Sequence, residues 1–133
     1  SEKEKKILID KNISLDQIIE TSGGDDVLAN LYKNASIFVF PSKYEGFGLP
    51  LLEAASKNCP LACSDIDVFR EVIQEGAAFF NPNSVDDISN VLEKILFSET
   101  SQKILVKKSN EIIKNFTWDK CAKETLNIYK SII

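Results

Sequence analysis

Ile37-Phe38-Val39-Phe40-Pro41-Ser42-Lys43-Tyr44-Glu45-Gly46-Phe47-Gly48-Leu49-Pro50-Leu51-Leu52-Glu53 is the stretch that decides how this chain folds. Its first four residues are apolar without alternation, as in a parallel strand covered by helices on both faces. Pro41 ends the run. Leu49-Pro50 then opens a helix, because proline is tolerated in a first helical turn. Between them, Gly46 and Gly48 let the backbone approach a ligand closely and take positive φ values. A helix start leaves free N–H groups and a partial positive charge, which suits a diphosphate or sugar hydroxyls. Glu45 lies in the bend, and Glu53 lies one turn into the helix on the face of Leu49. Carboxylates beside a phosphate make sense as acceptors from hydroxyls, one from a hexose and one from a ribose. A Gly-x-Gly turn alone also fits a plain strand-to-helix connection.

Outward from this stretch the chain alternates between apolar runs and amphipathic ones. Leu61-Ala62-Cys63 and Ala77-Ala78-Phe79-Phe80, the latter closed by Asn81-Pro82, read as further buried strands. Ile7-Leu8-Ile9 and Ile18-Ile19 are weaker strand candidates. Helices are expected over 26–34, with Val27, Leu28, Leu31 and Tyr32 on one face, and over 49–57 and 68–74. Another is expected over 84–97, where Ser84 precedes Asp87 in an N-cap pattern, and two more near 101–115 and 117–132. Strand–helix alternation implies right-handed crossovers and an α/β, doubly wound parallel sheet of the Rossmann-like kind. Such sheets bind ligands beyond the carboxyl ends of their strands.

The bulk properties narrow the function. A chain of 133 residues, 44% hydrophobic and 27% charged, has room for one core. The net charge of −4 and the single arginine, Arg70, argue against a broad nucleic-acid surface. Lys103, Lys107 and Lys108 read as a solvated helix face, with contact to acidic lipid headgroups as the second reading. No run of about 18 apolar residues is present, and the N-terminal stretch does not read as a signal peptide. Cys59, Cys63 and Cys121 fit reduced thiols in a cytoplasmic protein, Cys59 and Cys63 as small buried apolar groups. Histidine is absent, which removes Ser-His-Asp and Cys-His systems and the commonest metal ligand. Asp65 and Asp67 alone do not make a metal site. Trp118 can stack on a ligand, but packing the last helix onto the body is the expectation. Tyr32 and Tyr44 are expected to be structural, with Tyr44 close enough to line the bend. Arg70 can reach a phosphate or pair with a carboxylate such as Glu71.

The whole string resembles the retaining glycosyltransferases of the GT-B fold, the group 1 family (glycosyltransferase family 4-like). That family carries a glutamate, seven intervening residues and a second glutamate, usually as Glu-Gly-Phe-Gly-Leu-Pro and then Glu, and Glu45 to Glu53 has that form. Leu31-Tyr32-Lys33-Asn34-Ala35-Ser36, Cys59-Pro60-Leu61, Gly76 to Pro82 and Phe116-Thr117-Trp118-Asp119 are similar to other stretches of it. So is Ser64 to Val72, although the family often has proline where Asp67 stands. The resemblance covers roughly residues 25–133.

The resemblance implies a C-terminal, donor-binding half of such an enzyme. Residues 1–133 would form a single donor-binding domain truncated on its N-terminal side, with 1–24 a diverged or incomplete leading segment. The acceptor-binding domain, and the basic residues that clamp the diphosphate upstream, would be missing, leaving this chain inactive in transfer by itself. Glu45 would be the catalytic carboxylate, meeting the transferred sugar near its 3- and 4-hydroxyls. Gly46, Phe47, Gly48 and Leu49 would bind sugar hydroxyls and the diphosphate through their backbone, and Glu53 the ribose. The donor would be a UDP- or GDP-hexose serving as substrate, with no metal or other cofactor. The acceptor would be a glycan or lipid in polysaccharide or lipopolysaccharide synthesis, and the enzyme would be cytoplasmic, at the inner face of the membrane. The alternatives are a non-catalytic nucleotide-sugar-binding or scaffold module of the same fold, and a sugar-nucleotide epimerase, which would ordinarily need further acid/base groups.

Overall fold

Side-chain alternation along three short strands sorts the hydrophobic residues onto the two faces of one sheet. The computed structural model describes residues 2–132. Its elements are α1 (Glu2–Asp10), α2 (Asp25–Asn34), β1 (Phe38–Phe40), α3 (Leu49–Ser56), β2 (Leu61–Ser64), α4 (Asp67–Val72), β3 (Ala78–Phe80), α5 (Val85–Leu96), α6 (Glu99–Ile113) and α7 (Trp118–Ile132). The strands pair in parallel in the order β1-β2-β3, with Phe38 opposite Leu61 and Ala62 opposite Ala78.

Phe38, Phe40, Leu61, Cys63 and Phe79 face a core completed by Tyr32, Leu51, Ala54, Ala55, Phe69 and Ile73. Val39, Ala62, Ala78 and Phe80 face the other, completed by Ile88, Val91, Leu92 and Ile95 of α5 and Leu105 of α6. Helices therefore cover both faces, as the non-alternating apolar runs require. The expected strands and helices at 26–132 form within a few residues of their expected bounds. Ser84 caps α5 as expected: its hydroxyl accepts from the Asp87 N–H at 3.2 Å, and the Asp87 carboxylate accepts from the Asn81 N–H at 2.6 Å. Backbone contact fixes α6, since a Cβ added to Gly76 would lie 2.8 Å from Ser109 Cα.

Three expectations fail. Ile7-Leu8-Ile9 lies in α1, where the preceding Glu and Lys residues favour helix and no strand is alongside. Ile18 is extended (φ −109, ψ 117), but neither it nor Ile19 has a strand to pair with. The helix expected at 26–34 forms as α2, and of its apolar face Tyr32 is buried while Leu28 and Leu31 are exposed. Trp118 is 84% exposed, and no residue of α7 is buried, since its apolar face meets no other element closely. Among the described residues no helix is long and apolar enough to cross a membrane.

Candidate functional site

The bend from Pro41 to Gly48 leaves the carboxyl end of β1 and delivers the chain into α3. Gly48 is the pivot. As the residue before the first turn of α3 it has φ 94 and ψ 42, a left-handed conformation that side chains disfavour. A Cβ there would also lie 2.8 Å from Phe69 Cε1. Phe69 is fully buried in α4 and stacks on Phe40 at 5.2 Å between ring centroids. Phe40 in turn lies 5.7 Å from Phe38, which meets Tyr32 edge-on at 5.1 Å. An aromatic row thus runs beneath the sheet end and supports the bend from below.

Gly46 differs from Gly48. Its φ is not positive, and a Cβ built on it meets nothing within 4 Å. The expectation that both glycines take positive φ is therefore corrected: one such residue suffices to turn the chain into α3. The outer side of the bend is open at Gly46.

The amides of Gly46, Phe47, Gly48 and Leu49 make no backbone hydrogen bond among the described residues. The next residue, Pro50, has no N–H, and Leu51 donates back to the Gly48 carbonyl at 3.0 Å. A cluster of unpartnered donors at a helix start is an anion- or hydroxyl-binding arrangement. Glu45 is half-buried at its edge. Glu53, exposed on α3, lines a separate notch of about 270 Å³ with Tyr32 and Lys57. Burial, and then the Glu53 carboxylate beside it, raises the Tyr32 phenol above its ordinary range. Two larger grooves, about 580 and 750 Å³, flank α6 and do not include the bend.

Arg70 is committed elsewhere. Its Nε and Nη2 donate to the two Asp65 carboxylate oxygens at 2.7 and 2.8 Å, and its guanidinium carbon sits 3.9 Å from the centre of the Phe79 ring. The partner is Asp65 rather than Glu71, because neighbours on a helix do not face each other. The hydrogen bond from Arg70 holds the Asp65 carboxyl below the usual range. Tyr44, expected to be structural, is instead 91% exposed, projecting from the bend into solvent. Lys103 and Lys108 are exposed and paired with Glu99 and Glu75. Cys59 and Cys63 are buried free thiols, and burial pushes Cys63 up to about 12. Asp67 is exposed at the start of α4, and no cluster of three potential metal ligands occurs among the described residues.

Two contributors lie in stretches that resemble the family, but nothing in the sequence ties them to the bend. Phe69 touches the bend from α4, and Phe116 meets Phe47 edge-on at 5.8 Å. Both partners are distant in the chain.

A parallel sheet with helices on both faces and a glycine bend at a strand's carboxyl end defines a doubly wound α/β domain with a ligand site of the Rossmann-like kind. Sucrose-phosphate synthase from Thermosynechococcus elongatus has the same fold: TM-score 0.85 and 23% identity, over 96% of this chain and 33% of that one. The chain belongs to the group 1 glycosyl transferases, whose family model matches residues 1–115. It is 39% identical to O-antigen chain mannosyltransferase B of Escherichia coli, over 80% of this chain and 28% of that protein. It is 31% identical to the MMP alpha-(1->4)-mannosyltransferase of Mycolicibacterium hassiacum, over 97% of this chain and 32% of that protein. The chain thus spans less than a third of the length of these two relatives.

Proposed function

We propose that this chain binds the donor of a hexosyltransferase: a nucleotide-diphosphate hexose whose sugar passes, with retained anomeric configuration, to a glycan or lipid acceptor. The observation that carries the reading is the set of unpartnered amides from Gly46 to Leu49 at the start of α3. These donors, with the helix end, would hold the diphosphate and neighbouring sugar hydroxyls, and would stabilise charge on the departing diphosphate. Glu45 would accept from hydroxyls of the transferred sugar, and Glu53 from the ribose. The scheme needs no metal ion. Mannose is the favoured sugar, because relatives at 39% and 31% identity are named mannosyltransferases. The acceptor would be held by a domain outside this chain, and the assembled enzyme would work in the cytoplasm, at the inner face of the membrane.

Saturation-transfer NMR with GDP-mannose and UDP-glucose tests the donor: contacts are expected from both nucleotide and sugar protons of the true one. Nucleotide contacts without sugar contacts would favour a non-catalytic module. In the enzyme carrying its acceptor-binding part, Glu45→Ala should abolish transfer while the fold persists. Full activity would remove Glu45 from the mechanism.

A further inference from the structure

The bend is poorly tied to the rest of the molecule. No backbone amide of residues 43–47 bonds to another element among the described residues. Its internal tie is the Ser42 hydroxyl, which donates to the Tyr44 carbonyl at 3.1 Å. The inner end is anchored where Gly48 sits on Phe69. At the outer end, Phe47 meets Phe116 edge-on at 5.8 Å between centroids.

Phe116 is a firm platform. Its N–H donates to the Ile113 carbonyl at 3.0 Å, and that of Asn115 to the Ile112 carbonyl at 3.0 Å. Ile113 packs on the core, and α6 is held by the backbone approach of Ser109 to Gly76. Phe47 and Phe116 are themselves 42% and 38% exposed, so the pair is not part of the buried core. The ring contact lies one residue from both Gly46 and Gly48, the positions whose amides are free.

We propose that Phe116 is a positioning residue: its ring holds Phe47, and through it sets the direction of the amides from Gly46 to Leu49. For donor affinity the inference rests on the function proposed above; for the order of the bend it does not. Phe116 forms no bond with the ligand and acts through Phe47.

The test is ¹⁵N relaxation of this chain as wild type, Phe116→Ala, Phe116→Leu and Phe116→Tyr. In Phe116→Ala the Gly46 and Phe47 amides should fall to order parameters below about 0.6, while those of Ala54 and Ala55 stay near about 0.85. Phe116→Tyr should restore the wild-type values, and Phe116→Leu, equally apolar but without the ring, should not. Unchanged order at Gly46 and Phe47 in Phe116→Ala would overturn the proposal, as would full rescue by leucine. Donor titration adds a second arm, in which Phe116→Ala should weaken binding about two- to tenfold. A wild-type chain that binds neither GDP-mannose nor UDP-glucose would sink the functional reading, while the relaxation data would still judge Phe116.

Discussion

Replacing each glycine of the bend by alanine should give two very different proteins. At Gly48 the new methyl meets two costs. Holding a non-glycine residue at φ 94 costs roughly 1–2 kcal/mol. The Cβ would also lie 2.8 and 3.1 Å from Phe69 Cε1 and Cδ1, and Phe69 is fully buried and stacked on Phe40, so it has little room to retreat. Overpacking of that kind costs about 1–3 kcal/mol. The sum, about 2–5 kcal/mol, corresponds to a fall in Tm of roughly 6–25 °C for a chain of 133 residues. At Gly46 neither cost applies, and Gly46→Ala should change stability by less than about 0.5 kcal/mol. Urea unfolding followed by far-UV circular dichroism measures both. Adding Phe69→Leu to Gly48→Ala separates the two costs, because a smaller side chain removes the clash and leaves the backbone term. Equal destabilisation at the two glycines, or a Gly48→Ala protein as stable as wild type, would refute the reasoning.

Four further outcomes are expected. The Ser64 hydroxyl is buried without a hydrogen-bond partner among the described residues, so Ser64→Ala should be neutral or stabilising by up to about 2 kcal/mol in urea melts; a loss of stability would reveal a partner. Asp65 has a lowered folded pKa, so its stabilisation is complete above the ordinary carboxylate value and is lost as pH falls through the folded one. Asp65→Asn should therefore cost less than about 1 kcal/mol at pH 7, the pair being half exposed, and the difference should close below about pH 4. Native alkylation at pH 8 should modify exposed Cys121 alone, with Cys59 and Cys63 reacting only in denaturant, as intact mass spectrometry would read. Glu53→Ala should weaken nucleotide binding by roughly 1.5–3 kcal/mol in calorimetric titration, and an unchanged Kd would reject the ribose assignment.

What the sequence disclosed was local. The strands at Phe38, Leu61 and Ala78 stood out because apolar runs of three or four residues between turn residues have few other uses. Ser84 announced the start of α5 because capping depends on residues three apart. The bend was legible as a glycine pair between a strand and a proline-marked helix start. What stayed hidden was the company these residues keep. Nothing near Arg70 says that Asp65 is its partner, and nothing near Phe47 points to Phe116. Ile7 to Ile9 misled because three isoleucine or leucine residues fit either structure, and the deciding factor was the absence of a strand beside them. Trp118 misled because size argues for burial only where another surface is present to receive the ring.

The chain's sole tryptophan has a spectroscopic consequence. Trp118 stands in water on a helix that buries nothing, so its emission should already resemble that of a denatured protein. Unfolding of the core will leave that signal nearly silent, and fluorescence melts would understate cooperativity. The same isolation makes the indole a clean reporter: a blue shift would register the covering of α7, free of background from the sheet.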